Sequence, residues 1–213
     1  TLHNTHAKFV IKSLSKNKHV YVEKPLALNI DELKDINSIY KKNNGSLIVG
    51  FNRNFSLLTE KVLSLFKDIE KKIINIRVNA DEIDKDHWTQ NPKIGGGRLI
   101  GEGCHFISLA SCLASSNISK VYTNSINSKN SEIMCNDNFN ISLKFENGSI
   151  ANIVYTSDGS TVVEKEYVEV FGGGRSAKII DFQQLDLFEN NKRIFNKRYS
   201  TQDKGQKTMI SNW

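Results

Sequence analysis

The chain has 213 residues, with 29 Lys and Arg against 23 Asp and Glu, a formal net charge of +6, and 38% hydrophobic residues. That length and mix place it among globular proteins with room for one large domain, or one domain plus part of another, around a sizeable core. Its basic residues lie in dispersed pairs such as Lys41–Lys42 and Lys71–Lys72 with acids nearby, which argues against nucleic acid, and no apolar run approaches the ~20 residues that span a bilayer.

Ala7, Val10, Ile11 and Leu14 fall at helical spacing, and residues 19–22 follow as a short β-type run. Asn29 stands three residues before Glu32, the pattern of a capping box. Leu33, Ile36 and Tyr40 give the helix behind it an apolar stripe, which Asn43-Asn44-Gly45 ends. Residues 46–50 read as a buried strand. Alternation of helix and strand with short connections predicts part of a doubly wound parallel sheet, with too few strands to complete one.

Beyond Phe51 the pattern changes. A helix is predicted over residues 57–66, then a strand with Ile74, Ile76, Val78 and Ala80 alternating, a polar loop over 81–97 and a helix over 98–115. From Lys120 onward the chain reads as strands. Phe139, Ile141, Leu143 and Phe145 alternate, Asn147-Gly148 marks a hairpin turn, and further strands are expected at 149–156, 166–171, 176–181 and 184–188. The Asn/Ser-rich stretch 124–138 is a surface connection. The second part is therefore α+β, with one open, mainly antiparallel sheet.

Two clusters could carry chemistry. Glu23-Lys24-Pro25 closes the strand at 19–22, and ligands bind beyond the carboxyl ends of strands in open α/β sheets. A lysine there can hold a substrate hydroxyl and relay its proton, or be a plain surface lysine at a strand end. Pro25 fixes the local backbone and is a candidate for a cis peptide. In the run from Gly95 to His105, three glycines permit close approach, while Glu102 and His105 stand one helical turn apart as a possible acid/base unit. The alternative is a satisfied histidine at a helix start. No metal site is expected, because Cys104 and His105 would point apart and no second ligand cluster exists. Three cysteines (Cys104, Cys112, Cys135) form neither a CxxC pair nor an even framework, so a reducing, cytoplasmic setting is expected.

The segments HNTHAKFVIKSLSKNKHVYVEKPLAL, VGFNRNFS and DHWTQNPKIGGGRLIGEGCHFISLA, followed by NGSIANIVY and VEVFGGG, together resemble the Gfo/Idh/MocA oxidoreductase family. The GEGCHF form is most similar to a branch associated with surface-polysaccharide biosynthesis, some members of which carry a fused alcohol-dehydrogenase-like domain. The resemblance implies an α/β chain. Residues 1–52 would be the C-terminal part of an NAD(P)-binding Rossmann domain, and residues 53–213 a substrate and oligomerisation domain built on the open sheet. The chain starts at Thr1 within a motif, and no GxGxxG joins a strand to a helix anywhere in it. The front of the cofactor domain is therefore expected outside this sequence.

What the resemblance implies for single residues is specific. Thr1, His3 and Asn4 match the loop along the nicotinamide side of NAD or NADP, and Glu23, Lys24 and Pro25 match the EKP segment. Lys24 is the implied catalytic lysine, and His105 matches a histidine of substrate binding or proton transfer. Arg53 and Trp88 fall in segments bordering the substrate pocket. Arg53 suits a phosphate or carboxylate clamp, or else an interdomain salt bridge. Two departures stand out: Gly101 replaces an Asp common four residues before the histidine, with Glu102 a possible substitute, and Ser108 replaces another common Asp. The expected reaction is hydride transfer between NAD(P) and a carbinol carbon of a sugar, nucleotide-sugar or inositol-like polyol. Its rivals are a binding subunit of the same fold without turnover, and a lyase or glycosidase using the cofactor transiently. A homo-oligomer through the open sheet is expected as well.

Overall fold

A computed structural model describes residues 1–126 and 137–212. It opens with a 3-10 turn, His3–Thr5, leading into α1 (His6–Leu14), β1 (Val20–Val22), α2 (Ile30–Lys42) and β2 (Leu47–Val49). The two strands pair in parallel, Val20 opposite Leu47. Val10 and Leu14 of α1 and Ile36 of α2 close over Val20 and Val22 as a small core. The cap of α2 forms as its sequence predicts, with the Asn29 side chain accepting from the Glu32 amide. The Glu32 carboxylate reaches back to the Leu28 amide at 2.8 Å.

A 3-10 turn, Asn52–Phe55, then α3 (Leu57–Leu65) lead to β3 (Ile73–Asn79), the polar loop with a short turn at Trp88–Gln90, a turn of π-helix at Leu99–Gly103 and α4 (Cys104–Ala114). The remaining strands are β4 (Ile118–Ser125), β5 (Phe139–Phe145), β6 (Ile150–Thr156), β7 (Glu166–Gly172), β8 (Arg175–Ile180), β9 (Gln184–Glu189) and β10 (Lys192–Arg198), and α5 (Gln206–Ser211) follows. They form one eight-stranded sheet in the order β10-β9-β8-β7-β3-β6-β5-β4. Only β3 and β6 run parallel among its described pairs.

Strand alternation decides which face is covered. Ile74, Ile76 and Val78 of β3 and Ile141, Leu143 and Phe145 of β5 face Leu58, Val62, Phe106 and Leu109 from α3 and α4, forming the main core. The opposite face leaves Ile73, Tyr122 and Val154 exposed. Among the described residues no helix is long and apolar enough to cross a membrane.

Four local departures from the sequence reading have physical causes. The helix expected over 98–115 begins as a π turn, because Gly101 and Gly103 hold helical geometry weakly and Glu102 is drawn sideways by partners described below. On α2 only Ile36 is buried, while Leu33 and Tyr40 face outward, and β2 is half-buried rather than fully buried. The strand β10 was not predicted: Lys192 and Arg193 open it and Lys197 and Arg198 close it, an edge-strand composition without an apolar alternation. The six-residue α5 buries only Met209 and gives no periodic signal. Within the stretch 124–138, Asn124 and Ser125 belong to β4, whereas residues 127–136, including Cys135, lie outside the described residues.

Candidate functional site

The end of β1 and the π turn ahead of α4 come together. Lys24 follows β1, its peptide to Pro25 is cis, and its Nζ donates to the Gly101 carbonyl at 2.6 Å. The buried His6 donates from Nδ1 to the Pro25 carbonyl at 2.7 Å, tying α1 to the same turn. Three residues earlier, His3 Nδ1 lies 2.7 Å from the Gly95 carbonyl, and the Asn4 amide donates to Ile94 O at 3.0 Å. The glycine run makes this approach possible. A Cβ at Gly95 would fall 2.3 Å from Thr89 Cα, and Gly96 and Gly97 adopt φ of 78° and 72°.

A cleft of about 680 Å³ opens beside these contacts, lined by Thr1, His3, His6, Glu23, Lys24 and Trp88 among others. The Trp88 ring meets His3 edge-on at 4.8 Å. Glu23 accepts from the Tyr21 hydroxyl, and burial together with this carboxylate pushes the Tyr21 pKa up to about 12. Of the residues expected along the cofactor, Thr1, His3, Glu23 and Lys24 line this cleft. Asn4 instead contributes its backbone, and its side chain is exposed.

His105 opens α4 only 5% exposed, its ring edge-on to Phe51 at 6.2 Å. Burial, with the charges of Arg53 and Lys24, lowers its pKa to about 2. Its buried Nδ1 has no partner in the described protein. Such an orphaned ring nitrogen is costly unless a ligand or water satisfies it.

Glu102 is not paired with His105. Its carboxylate accepts from the Tyr155 hydroxyl at 2.5 Å, from Arg98 at 3.0 Å and from Lys165 at 3.0 Å. Burial alone would raise its pKa, but Lys165, the Tyr155 hydroxyl and Arg98 outweigh it and hold it at about 2. Fixed as an anion under three donors, it fastens the π turn to the sheet. The turn places Glu102 and His105 against different neighbours instead of side by side on one helix face.

Arg53 likewise faces inward and pairs with a carboxylate of the chain. Its Nε and Nη2 both donate to Glu166 at 2.7 Å, and Lys204 adds a third bond to that carboxylate at 2.8 Å. Arg53 is 6% exposed and Glu166 fully buried. Burial works to raise the Glu166 pKa, and the two Arg53 bonds and Lys204 reverse it. The bidentate carboxylate clamp is real, but its carboxylate belongs to the chain. Ser108 accepts from Asn54 at 2.9 Å and takes no part in the cleft.

Two family models match in sequence order. Residues 1–51 match the oxidoreductase family, NAD-binding Rossmann fold, and residues 72–177 match the GFO/IDH/MocA C-terminal domain. The chain belongs to the Gfo/Idh/MocA family.

Its Gfo/Idh/MocA relatives include the Bacillus subtilis (strain 168) protein named Uncharacterized oxidoreductase YrbE, 25% identical over 81% of this chain and 51% of that protein. Myo-inositol 2-dehydrogenase of Thermotoga maritima is 42% identical over 52 residues, covering 24% of this chain and 16% of the enzyme. The chain thus spans about half or less of these relatives. An inositol dehydrogenase homolog from Azotobacter vinelandii, solved with NAD+, shares the fold with a TM-score of 0.80 at 17% identity, over 93% of this chain and 55% of that one. The first 51 residues thus match an NAD-binding Rossmann fold.

Within this Gfo/Idh/MocA chain, several participants were invisible to sequence reading. His6 lies three residues from His3 in the same motif, and that repeat was its one available sign. Tyr155, Lys165, Glu166 and Lys204 come from distant strands and loops with no local signature.

Proposed function

We propose that the complete protein is an NAD(P)-dependent dehydrogenase acting on a carbinol of a sugar, nucleotide-sugar or inositol-like polyol. The observation carrying this reading is the meeting of Lys24, the Gly101 carbonyl and His3 at one cleft, with the unpartnered His105 Nδ1 on the adjoining helix. Thr1, His3, Glu23 and Lys24 would border the nicotinamide end of the dinucleotide, and the cleft is large enough for that group. Bound NAD(P) supplies the carbon that takes the hydride.

The chain's own residues would handle everything else. Lys24 orients the substrate hydroxyl and takes its proton. His105, its pKa lowered to about 2, would stay neutral across the working pH range and border the substrate side as a positioning group rather than accept a proton. Trp88 forms an apolar wall for the ring of the substrate. Residues 1–52 serve as the end of the cofactor domain and 53–213 as the substrate domain, whose exposed sheet face joins copies of the protein. The GEGCHF pattern favours a nucleotide-sugar of surface-polysaccharide synthesis within the substrate class.

The test is NADH formation by the protein extended through its upstream coding sequence, on UDP-sugars and inositols. Activity on one of these, lost in Lys24→Ala, is expected. A wild-type rate in Lys24→Ala overturns the role of Lys24. A second reading, a sugar-binding subunit without turnover, draws on one observation: position 101 has no carboxylate and Glu102 is held elsewhere. Ligand-induced stabilisation without turnover across the panel would favour it.

A further inference from the structure

Three features converge on His3. A carbonyl can only accept, so the 2.7 Å contact with Gly95 O puts the ring proton on Nδ1 and leaves a lone pair on Nε2. That ring lines the same cleft as Lys24, its plane set by the Trp88 edge, and Nε2 has no partner among the described residues. The ring also borders the space that a side chain at position 101 would enter. A Cβ there would lie 3.3 Å from His3 Cε1 and 3.7 Å from Nδ1, while the Gly101 carbonyl takes the Lys24 bond.

We propose that His3 is the proton acceptor behind Lys24, standing beside position 101, which carries no carboxylate. This rests on the dehydrogenase reading of Lys24. As the substrate O–H bond breaks, its proton passes to Lys24 Nζ and one Lys24 proton passes to His3 Nε2, directly or through one water. Lys24 is unchanged over the cycle, and the His3 imidazolium releases the proton to solvent at the cleft mouth. His105 is the poorer acceptor: it does not line the cleft, and burial with the charges of Arg53 and Lys24 lowers its pKa strongly.

The groups around the ring suit the role. Burial lowers its pKa, the bond to Gly95 works against that, and Lys24 and His6 lower it further. Glu23 lies in the same cleft, and His87 flanks Trp88. The ring is therefore neutral at pH 7, ready to accept, and the proton it gains is held weakly enough to leave.

Two measurements on the complete protein test the proposal. In a histidine-labelled sample, long-range proton–nitrogen spectra are expected to show His3 as the Nδ1–H tautomer with a pKa below 6.5. The opposite tautomer would overturn it, without reference to turnover. In kinetics, His3→Asn keeps an N–H for Gly95 but loses the titrating nitrogen. It is expected to lower kcat by roughly 100-fold with a smaller change in KM for the dinucleotide, and imidazole is expected to restore part of the rate of His3→Ala. A wild-type kcat and pH profile in His3→Asn, or a rise in dinucleotide KM alone, would refute the relay. With Lys24→Ala inactive, that result removes His3 only; with Lys24→Ala active, the dehydrogenase reading of Lys24 goes first.

Discussion

Lys24 donates to the backbone of Gly101, a residue that brings no side chain of its own to the cleft. A carboxylate in that place would hold the lysine more strongly than a neutral carbonyl does. Here the carbonyl positions the amine while the volume beside it goes to His3. The bond bridges the end of β1 and the π turn, so the two family segments are joined at the residue expected to do chemistry.

Gly101→Asp should therefore not simply supply a carboxylate. Its Cβ would lie 3.3 Å from His3 Cε1, so the ring would have to give way slightly, and overpacking of this kind costs about 1 kcal/mol. Combining it with His3→Ala clears the space, so the double variant should be more stable than the sum of the single effects. Thermal or urea unfolding of the four-member cycle measures that coupling. Additive effects would mean that His3 does not border the position.

Removing Glu166 should be among the most damaging single changes outside the cleft. It leaves the buried Arg53 and the partly exposed Lys204 without their anion, and breaking a buried pair costs about 3–5 kcal/mol. Arg53→Lys should also destabilise, since one ammonium cannot replace two parallel bonds or the guanidinium contact over Phe106 at 5.0 Å. Equilibrium unfolding in urea decides both.

Lys72 offers a milder test of the main sheet. Its buried Nζ donates to Leu113 O at 2.9 Å, a carbonyl of the last turn of α4. Lys72→Met keeps the apolar stem but leaves that carbonyl unpaired, a loss of about 1–3 kcal/mol. Amide exchange of the α4 end should rise with it.

What was legible in the sequence was local. The Asn29–Glu32 cap, the alternation of Phe139, Ile141, Leu143 and Phe145, and the Asn147-Gly148 turn each depend on residues a few positions apart, and each formed. The glycine run and Lys24 were visible as candidates because composition marks them. The partners that fix the site were not. Lys24 meets Gly101 across 77 positions and Arg53 meets Glu166 across 113, and no periodicity reports such pairs. Glu102 shows the same limit. Its helical spacing from His105 suggested a pair, but a π turn and three donors assign it to the sheet.

Acid should act on this protein in two stages. His105 has its folded pKa lowered from 6.5 to about 2, so the unfolded chain binds a proton that the folded one refuses. The neutral ring's contribution is complete above pH 6.5 and is lost as pH falls from there towards 2. Glu102 has its pKa lowered from 4.5 to about 2, so the stability of its anion is complete above 4.5 and is lost only below it. Each group adds a slope of at most about 1.4 kcal/mol per pH unit. His105→Asn should flatten the decline between pH 6.5 and 4.5, and Glu102→Gln should flatten it only below 4.5, at a cost in stability near neutrality. Urea midpoints at pH 7, 5.5 and 4 for the three proteins separate the two contributions. An unchanged slope above pH 4.5 in His105→Asn would show that the ring is free to protonate in the folded protein.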